Sequence, residues 1–157
     1  MSTIATTMMP AVLRRYETRT PGPLEILGHQ ALPKLLGADT EGAAVVSLVK
    51  VPKMSGPPVH IHTREDEWYY ILSGEITFQL GDRRVTHGPG ASVLVPRGVP
   101  HAFQNFADEV AEMLVMFTPA GIEEFFIKVA NANLDEAGVI ALMGEFGMTP
   151  LGPPLGR

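Results

Sequence analysis

The residues best suited to chemistry in this chain are three histidines and a glutamate that fall in two clusters. The first cluster is His60 and His62, followed by Glu67. Alternate side chains of a β-strand project to the same face, so these two imidazoles would point to one side. The second cluster would bring His101 from a neighbouring strand. Three nitrogens and one carboxylate suit Fe, Ni, Cu, Zn or Mn and leave coordination positions open for water or a substrate.

The stretch from residue 24 to about 118 has the pattern of a β-protein. It divides into short apolar runs separated by turns that contain glycine and proline, and Gly81-Asp82 between two alternating runs is a two-residue hairpin signal. The predicted strands span residues 43–51, 59–62, 67–72, 75–80, 83–87, 91–95, 100–106 and 111–118. Many short strands at this spacing predict a sandwich or a barrel.

The pattern changes to helical spacing after the last of these runs. The repeating apolar positions are Ile122, Phe125, Phe126 and Val129. Glu123-Glu124 would lie on the opposite face, and a second helical run covers residues 134–146. We interpret Phe125 and Phe126 as core or dimer packing rather than as ligand-binding residues. Residues 149–157, rich in proline and glycine, are predicted to be extended.

The two histidine clusters resemble the paired motifs of the cupin superfamily, which read G-(x)5-H-x-H-(x)3,4-E-(x)6-G and G-(x)5-P-x-G-(x)2-H-(x)3-N. The matching positions are His60, His62, Glu67 and Gly74 in the first motif and Gly90, Pro96, Gly98, His101 and Asn105 in the second. In place of the leading glycine of the first motif stands Met54, with Gly56 two residues later. On these residues the chain resembles a small single-domain bacterial cupin.

This resemblance implies a fold and a domain organisation. The fold would be all-β, a cupin conserved β-barrel (a double-stranded β-helix or jelly roll), with a helical C-terminal segment. Residues 1–22 would form an N-terminal tail or an arm against a partner subunit. Residues 23–118 would form the barrel, and residues 119–157 the helical segment and an extended tail.

The resemblance also implies a ligand set. His60, His62, Glu67 and His101 would hold one divalent transition metal ion, either Fe, Ni, Mn, Zn or Cu. Glu65 is the alternative carboxylate, but the motif spacing favours Glu67, and we interpret residues 64–66 as a solvated loop.

The remaining histidines and the cavity walls follow from the sequence pattern. His29 and His87 have no comparable neighbours, so we interpret both as structural or surface residues. Strand alternation from Glu67 and His101 predicts that Tyr69, Phe103 and Asn105 point into a cavity, with Phe78 closing the opposite wall. Such a cavity would be mostly apolar and would suit a small aromatic or hydrophobic molecule.

Three functions remain open at this level. The segments 118–126 and 152–155 resemble those of quercetinase-like cupins, which implies a metal-dependent dioxygenase acting on a small aromatic or enolic compound. Glu67 would then be both a metal ligand and the catalytic base. The alternatives are a non-redox metal-dependent cyclase or isomerase of the polyketide type, and a cupin that binds a small molecule without turnover.

Composition and net charge limit the classes of partner that this protein can bind. The net charge of −5 and the lack of a polybasic cluster argue against nucleic acid. The chain has no cysteine, and residues 1–9 lack the features of a signal peptide. No apolar run approaches the ~18 residues of a membrane helix. We therefore expect a cytoplasmic protein without a membrane partner, and a homodimer because exposed Phe125 and Phe126 would need cover.

Overall fold

The computed structural model describes residues 10–156 and arranges them as two antiparallel β-sheets followed by two helices. The strands are β1 (Leu24–Ile26), β2 (His29–Leu35), β3 (Val45–Val51), β4 (Pro58–His62), β5 (Asp66–Ser73), β6 (Ile76–Leu80), β7 (Arg83–His87), β8 (Ser92–Val95), β9 (His101–Gln104), β10 (Ala111–Thr118) and β11 (Met148–Pro154). The helices are α1 (Glu123–Ala132) and α2 (Glu136–Glu145). The predicted fold class, an all-β cupin barrel with a helical C-terminal segment, is confirmed. The prediction that residues 1–9 do not form a signal peptide concerns residues outside the described range.

The strands form one sheet in the order β1-β2-β3-β10-β5-β8 and a second in the order β11-β4-β9-β6-β7. The core is built from side chains of both sheets. Strand β5 illustrates how each strand contributes one face to it. Glu67, Tyr69 and Ile71 are buried, whereas Trp68 and Tyr70 between them are half-buried. This two-residue alternation fixes which face of the strand points inward.

Two short hairpins connect neighbouring strands. Leu80 pairs with Arg83 across the Gly81-Asp82 turn, as the sequence predicted. The other hairpin, between β1 and β2, pairs Ile26 with His29. Both of its turn residues have positive φ, 48° at Leu27 and 89° at Gly28. Positive φ at both positions is the type I′ geometry, in which glycine, asparagine or aspartate is the usual first residue and leucine is rare.

Helix α1 packs its apolar face on the barrel, and this changes two predictions. Phe125 is only 4% exposed, and the Phe126 ring lies 5.6 Å from that of Phe117 on β10. Residues of the same chain therefore bury these two rings. The homodimer stays a prediction, but the expected exposure of Phe125 and Phe126 no longer supports it. Glu123 is also buried rather than solvent-facing, because its carboxylate accepts hydrogen bonds from the amides of Gly37 and Gly121.

The two ends of the described chain also pack on the barrel. Strand β11 pairs with β4, so the predicted extended tail completes the second sheet. In the N-terminal arm, Arg15 forms an ion pair with Glu112 of β10, and the Tyr16 hydroxyl donates to the same carboxylate at 3.0 Å. This part of the arm therefore lies on its own barrel. Within residues 10–156 no helix is long and apolar enough to cross a membrane.

Candidate metal centre

The four predicted ligands meet between the two sheets. His60 and His62 lie on β4 and His101 opens β9, where it pairs directly with His60. Glu67 comes from β5 in the other sheet. All four side chains are between 2% and 5% exposed. The alternation predicted for the His60-Ile61-His62 strand therefore directs both imidazoles into the interior.

The candidate ligand atoms are close enough to share one cation. One nitrogen or oxygen from each of the four residues lies within 4.8 Å of all the others. The Nε2 atoms of His60 and His62 are 3.0 Å apart, and His101 Nε2 lies 2.9 Å from Glu67 Oε2. Three nitrogens and a carboxylate converging at this spacing form a site that could hold a metal ion.

Backbone carbonyls orient two of the imidazoles. His60 Nδ1 donates to the Pro58 carbonyl oxygen at 2.8 Å, and His101 Nδ1 donates to that of Val99 at 2.9 Å. Because a carbonyl can only accept, these contacts place a ring proton on Nδ1 and turn the Nε2 atom of each ring toward the cluster. A histidine that binds a metal through Nε2 needs this orientation.

A buried carboxylate does the same for the third imidazole. His62 Nδ1 lies 3.3 Å from Glu65 Oε2, and Glu65 is 4% exposed. The interpretation of residues 64–66 as a solvated loop is therefore wrong for Glu65. Its carboxylate lies behind His62 and faces away from the cluster centre, which leaves Glu67 as the candidate ligand.

The electrostatics of the cluster favour a neutral His60 and an ionised Glu67. Burial, together with the neighbouring imidazoles of His101 and His62, lowers the pKa of His60 to about 3. Burial of Glu67 works to raise its pKa, but the hydrogen bond from His101 and the charges of the imidazoles outweigh it and lower the pKa. Burial likewise opposes protonation of His101, yet the hydrogen bond to Glu67 raises its pKa. An ionised Glu67 can ligate a metal, and His101 would have to release its Nε2 proton to do so.

The cluster opens on a cavity of about 70 Å³ with apolar walls. Its polar lining residues are His29, Ser47, His60, His62 and Glu67. The main aromatic wall residues are Phe103, Phe117, Phe125 and Phe126. Within residues 10–156 no lysine or arginine lines it. The interpretation of Phe125 and Phe126 as packing residues is therefore incomplete, since both also border the candidate site.

His29 is a cavity-lining residue that the sequence pattern did not indicate. It is 7% exposed and lines the same cavity, its ring 5.6 Å from that of Phe103 in an edge contact. Burial lowers its pKa to about 4, so the ring is neutral at physiological pH. Among the described residues, its Nδ1 has no hydrogen-bond partner. The β1–β2 hairpin places it there, and nothing in the spacing of the histidines indicates that long-range contact.

The four predicted cavity residues have different surroundings. Phe103 lines the cavity. Tyr69 and Phe78 are buried behind it, with Tyr69 in edge contact with both aromatic rings. Asn105 instead holds the loop after β9, because its amide donates to the carbonyls of Val51 and Glu109. Strand alternation was right about burial but could not separate cavity walls from the packed layer beneath them.

The missing motif glycine has a structural counterpart. Met54 stands where the first motif has its leading glycine, and it adopts φ 59°, the left-handed conformation that glycine adopts readily. Gly56 lies where a Cβ would meet the Phe103 carbonyl oxygen at 1.9 Å, so a side chain there would collide with β9. The turn before His60 is therefore kept despite the departure from the motif.

Comparison with known proteins agrees with this geometry. Residues 47–117 match the family model of the cupin domain. A 55-residue segment is 33% identical to an uncharacterized protein of Streptomyces coelicolor and covers 35% of this chain and 51% of that protein. The chain thus spans about half the length of the curated relative it matches.

Two solved structures show the same fold at low identity. One is a predicted oxalate decarboxylase from Thermotoga maritima, with TM-score 0.59, 24% identity, and coverage of 62% of this chain and 91% of that chain. The other is a sugar phosphate isomerase of the cupin superfamily from Silicibacter pomeroyi, with TM-score 0.52, 25% identity, and coverage of 58% and 59%. Together with the family match over residues 47–117 and the buried histidine–glutamate cluster, this fold shows that the chain contains a cupin domain.

Proposed function

We propose that this protein is a metal-dependent dioxygenase that acts on a small aromatic or enolic compound. The observation that supports it most directly is the position of the His60, His62, Glu67 and His101 cluster at the wall of a cavity lined by apolar and aromatic side chains. An uncharged planar molecule with one acidic hydroxyl matches these surroundings, because its body can pack on aromatic rings while its oxygen faces the cluster.

The charge of the cavity argues against the substrates named for the two structural neighbours. Sugar phosphates and oxalate are anionic, and proteins usually hold such groups with arginine or lysine. Within residues 10–156 neither residue lines this cavity, and the net charge of the chain is −5. An anionic group could be neutralised in this cavity only by a bound metal ion. The other polar groups of a sugar phosphate or of oxalate would then lie against apolar walls.

The residues around the cavity would have three roles in such a reaction: metal binding, proton transfer and exclusion of water. His60, His62, Glu67 and His101 would hold the metal, which when bound would supply activation of dioxygen and an electrostatic partner for the deprotonated substrate oxygen. Glu67, ionised and buried, would accept the proton of the substrate hydroxyl at its carboxylate. Both atoms of dioxygen would enter the substrate and a ring bond would break, so no external reductant is required. The aromatic walls would exclude water from the reacting atoms.

Oxygen consumption with a flavonol tests this proposal. Protein loaded in turn with Fe, Ni, Mn, Zn or Cu is mixed with quercetin in an oxygen-electrode cell, and at least one redox-active metal should support stoichiometric oxygen uptake. Glu67→Gln should retain some metal, because an amide oxygen can ligate, yet lose turnover, because the amide cannot accept the proton. Glu124→Gln, at an exposed position of α1, is the matched control and should behave as wild type.

The outcomes separate the alternative functions. Product formation that continues unchanged under strict anaerobiosis, or with zinc alone, would replace the dioxygenase with a non-redox cyclase or isomerase. Tight binding without turnover under any metal would favour a binding protein.

A further inference from the structure

The metal cavity is too small for the ligand that its chemistry favours. Its volume is about 70 Å³, whereas small-molecule sites typically measure about 300–1,000 Å³. A ring bearing the reactive oxygen could reach the cluster, but a second ring has no room beside it. The remainder of a larger ligand must therefore lie elsewhere.

A groove next to the cavity has the missing volume. It measures about 430 Å³ and lies among the β1–β2 turn, the start of β4, helix α2 and strand β11. Leu27, Pro58 and Met143 belong to the walls of both the cavity and the groove. These three side chains separate the two spaces, and the groove is the space directly outside them.

The separating residue Leu27 lies at the tip of the β1–β2 hairpin in an unfavourable backbone conformation. Its φ is 48° and its side chain is 42% exposed. A left-handed conformation costs a non-glycine residue roughly 1–2 kcal/mol. Such outliers concentrate at ligand sites, where the surrounding structure holds them.

The groove also contains a buried polar group without a partner. Gln104 is 1% exposed. In the part of the chain that the structure describes, its Oε1 makes no hydrogen bond and its Nε2 has only the Met54 sulfur at 3.9 Å. Met54 is half exposed and borders the groove beside it. A ligand that displaced the Met54 side chain would give this amide a hydrogen-bonding partner.

The charge of the groove limits what the ligand can carry there. Glu136 is its charged wall residue, and within residues 10–156 no lysine or arginine lines it. The wall also includes Ile140, which is 43% exposed on α2. A neutral, mainly apolar body fits such a surface better than an anionic one.

We infer that the groove is the outer half of the ligand site and that the ligand has two parts: a small enolic head at the metal cluster and a neutral apolar body in the groove. Leu27 is the specificity-determining residue between them. The inference rests on the proposed function for the chemistry of the head, and it adds the site and the chemical class of the body.

A matched pair of probes tests the inference by binding alone. Maltol and 3-hydroxyflavone carry the same 3-hydroxy-4-pyranone head, and only the second has a body that extends from it. Their dissociation constants are measured by calorimetry on zinc-loaded protein, in which zinc performs no redox turnover. Wild type should bind 3-hydroxyflavone at least about tenfold more tightly, since burial of about 60 Å² of apolar surface corresponds to that factor.

Filling the groove should remove this advantage. Ile140→Trp on α2 and Pro153→Trp on β11 each place an indole in the groove, and each should weaken 3-hydroxyflavone about tenfold while leaving maltol within about twofold. Ala141→Trp, one residue away on an exposed position outside the groove wall, should leave both probes unchanged.

Four results would overturn the inference. The first two are equal affinity of wild type for the two probes and no binding of either probe. The third is equal weakening of both probes by the groove variants. The fourth is a change of oligomeric state of Ile140→Trp in light scattering, which would make the groove a contact between copies of this chain. Failure of the proposed function gives a different result, because the probes would still bind as expected while quercetin and oxygen were not consumed.

Discussion

The buried neutral His29 should make the protein sensitive to mild acid. Burial lowers its pKa from 6.5 to about 4, so the unfolded chain takes up a proton between these values while the folded protein does not. Stability is therefore fully present above pH 6.5 and falls as the pH drops toward about 4. With one pKa unit equal to 1.36 kcal/mol, the full effect is about 3 kcal/mol, and about 2 kcal/mol of it should be lost between pH 7 and pH 5.

The variant His29→Phe isolates this effect. The buried His60 also resists protonation, so wild type will lose more stability than His29 alone explains. The contribution of His60 is common to both proteins and cancels in the difference. The free energy of unfolding of metal-free protein is measured by urea denaturation at pH 7 and pH 5. Wild type should lose about 2 kcal/mol more than His29→Phe over this interval.

The control and the refuting result are direct. His87→Phe replaces an exposed histidine and should follow wild type. If wild type and His29→Phe lose the same free energy within about 0.5 kcal/mol, a typical uncertainty of such comparisons, then His29 is not held neutral in the folded protein.

Three further substitutions test the site. His62→Ala should lose zinc on dialysis while His87→Ala keeps close to one equivalent by elemental analysis, and equal retention would refute the ligand assignment. Glu65→Gln should weaken zinc affinity about 10–100-fold in a chelator competition, since it removes the carboxylate that orients His62; unchanged affinity would mean that this contact does not position the ring. Met54→Gly should raise the free energy of unfolding by about 0.5–1 kcal/mol in urea, because relief of the left-handed conformation exceeds the entropy cost of glycine. A lower value would show that the Met54 side chain stabilises the fold more than its φ destabilises it.

The sequence predicted most of the barrel because its strands carry local signals. The predicted runs 83–87 and 111–118 coincide with β7 and β10, and the Gly81-Asp82 turn lies where the alternating runs meet. The convergence of the histidine and glutamate side chains was also predictable, since strand alternation and the motif spacing both specify it.

Three features could not be predicted because local polarity and turn patterns carry no signal for them. The β1–β2 hairpin has leucine at its first turn position, so the usual turn signal is missing and His29 carried no sign of its burial. Local polarity assigns Glu65 and Glu123 to solvent, whereas Glu65 contacts the buried His62 imidazole and Glu123 accepts a hydrogen bond from the amide of Gly37, 86 residues away. A pattern of polar and apolar residues indicates which face of a strand or helix is apolar, but it does not indicate which other part of the chain packs on that face.

Four unfavourable local features of this fold border the cavity and the groove. Leu27 and Met54 have positive φ there, and within residues 10–156 the buried polar atoms His29 Nδ1 and Gln104 Oε1 lack partners there. Others lie outside both spaces: Glu41 and Asn133 also have positive φ, and Ser55 Oγ and the Tyr69 hydroxyl also lack partners in the same range.

These features have a combined cost that a ligand could offset. Each left-handed residue costs roughly 1–2 kcal/mol and each unpartnered buried group roughly 1–3 kcal/mol, against a typical folding stability of about 5–15 kcal/mol. Packing alone would favour a better turn residue and apolar side chains at these positions. A ligand that hydrogen bonds to the buried polar groups and packs on Leu27 and Met54 gives them partners that the described chain does not provide. On this reasoning the conformations of Leu27 and Met54 and the unpartnered atoms of His29 and Gln104 belong to one binding surface that begins at the metal cluster and ends in the groove.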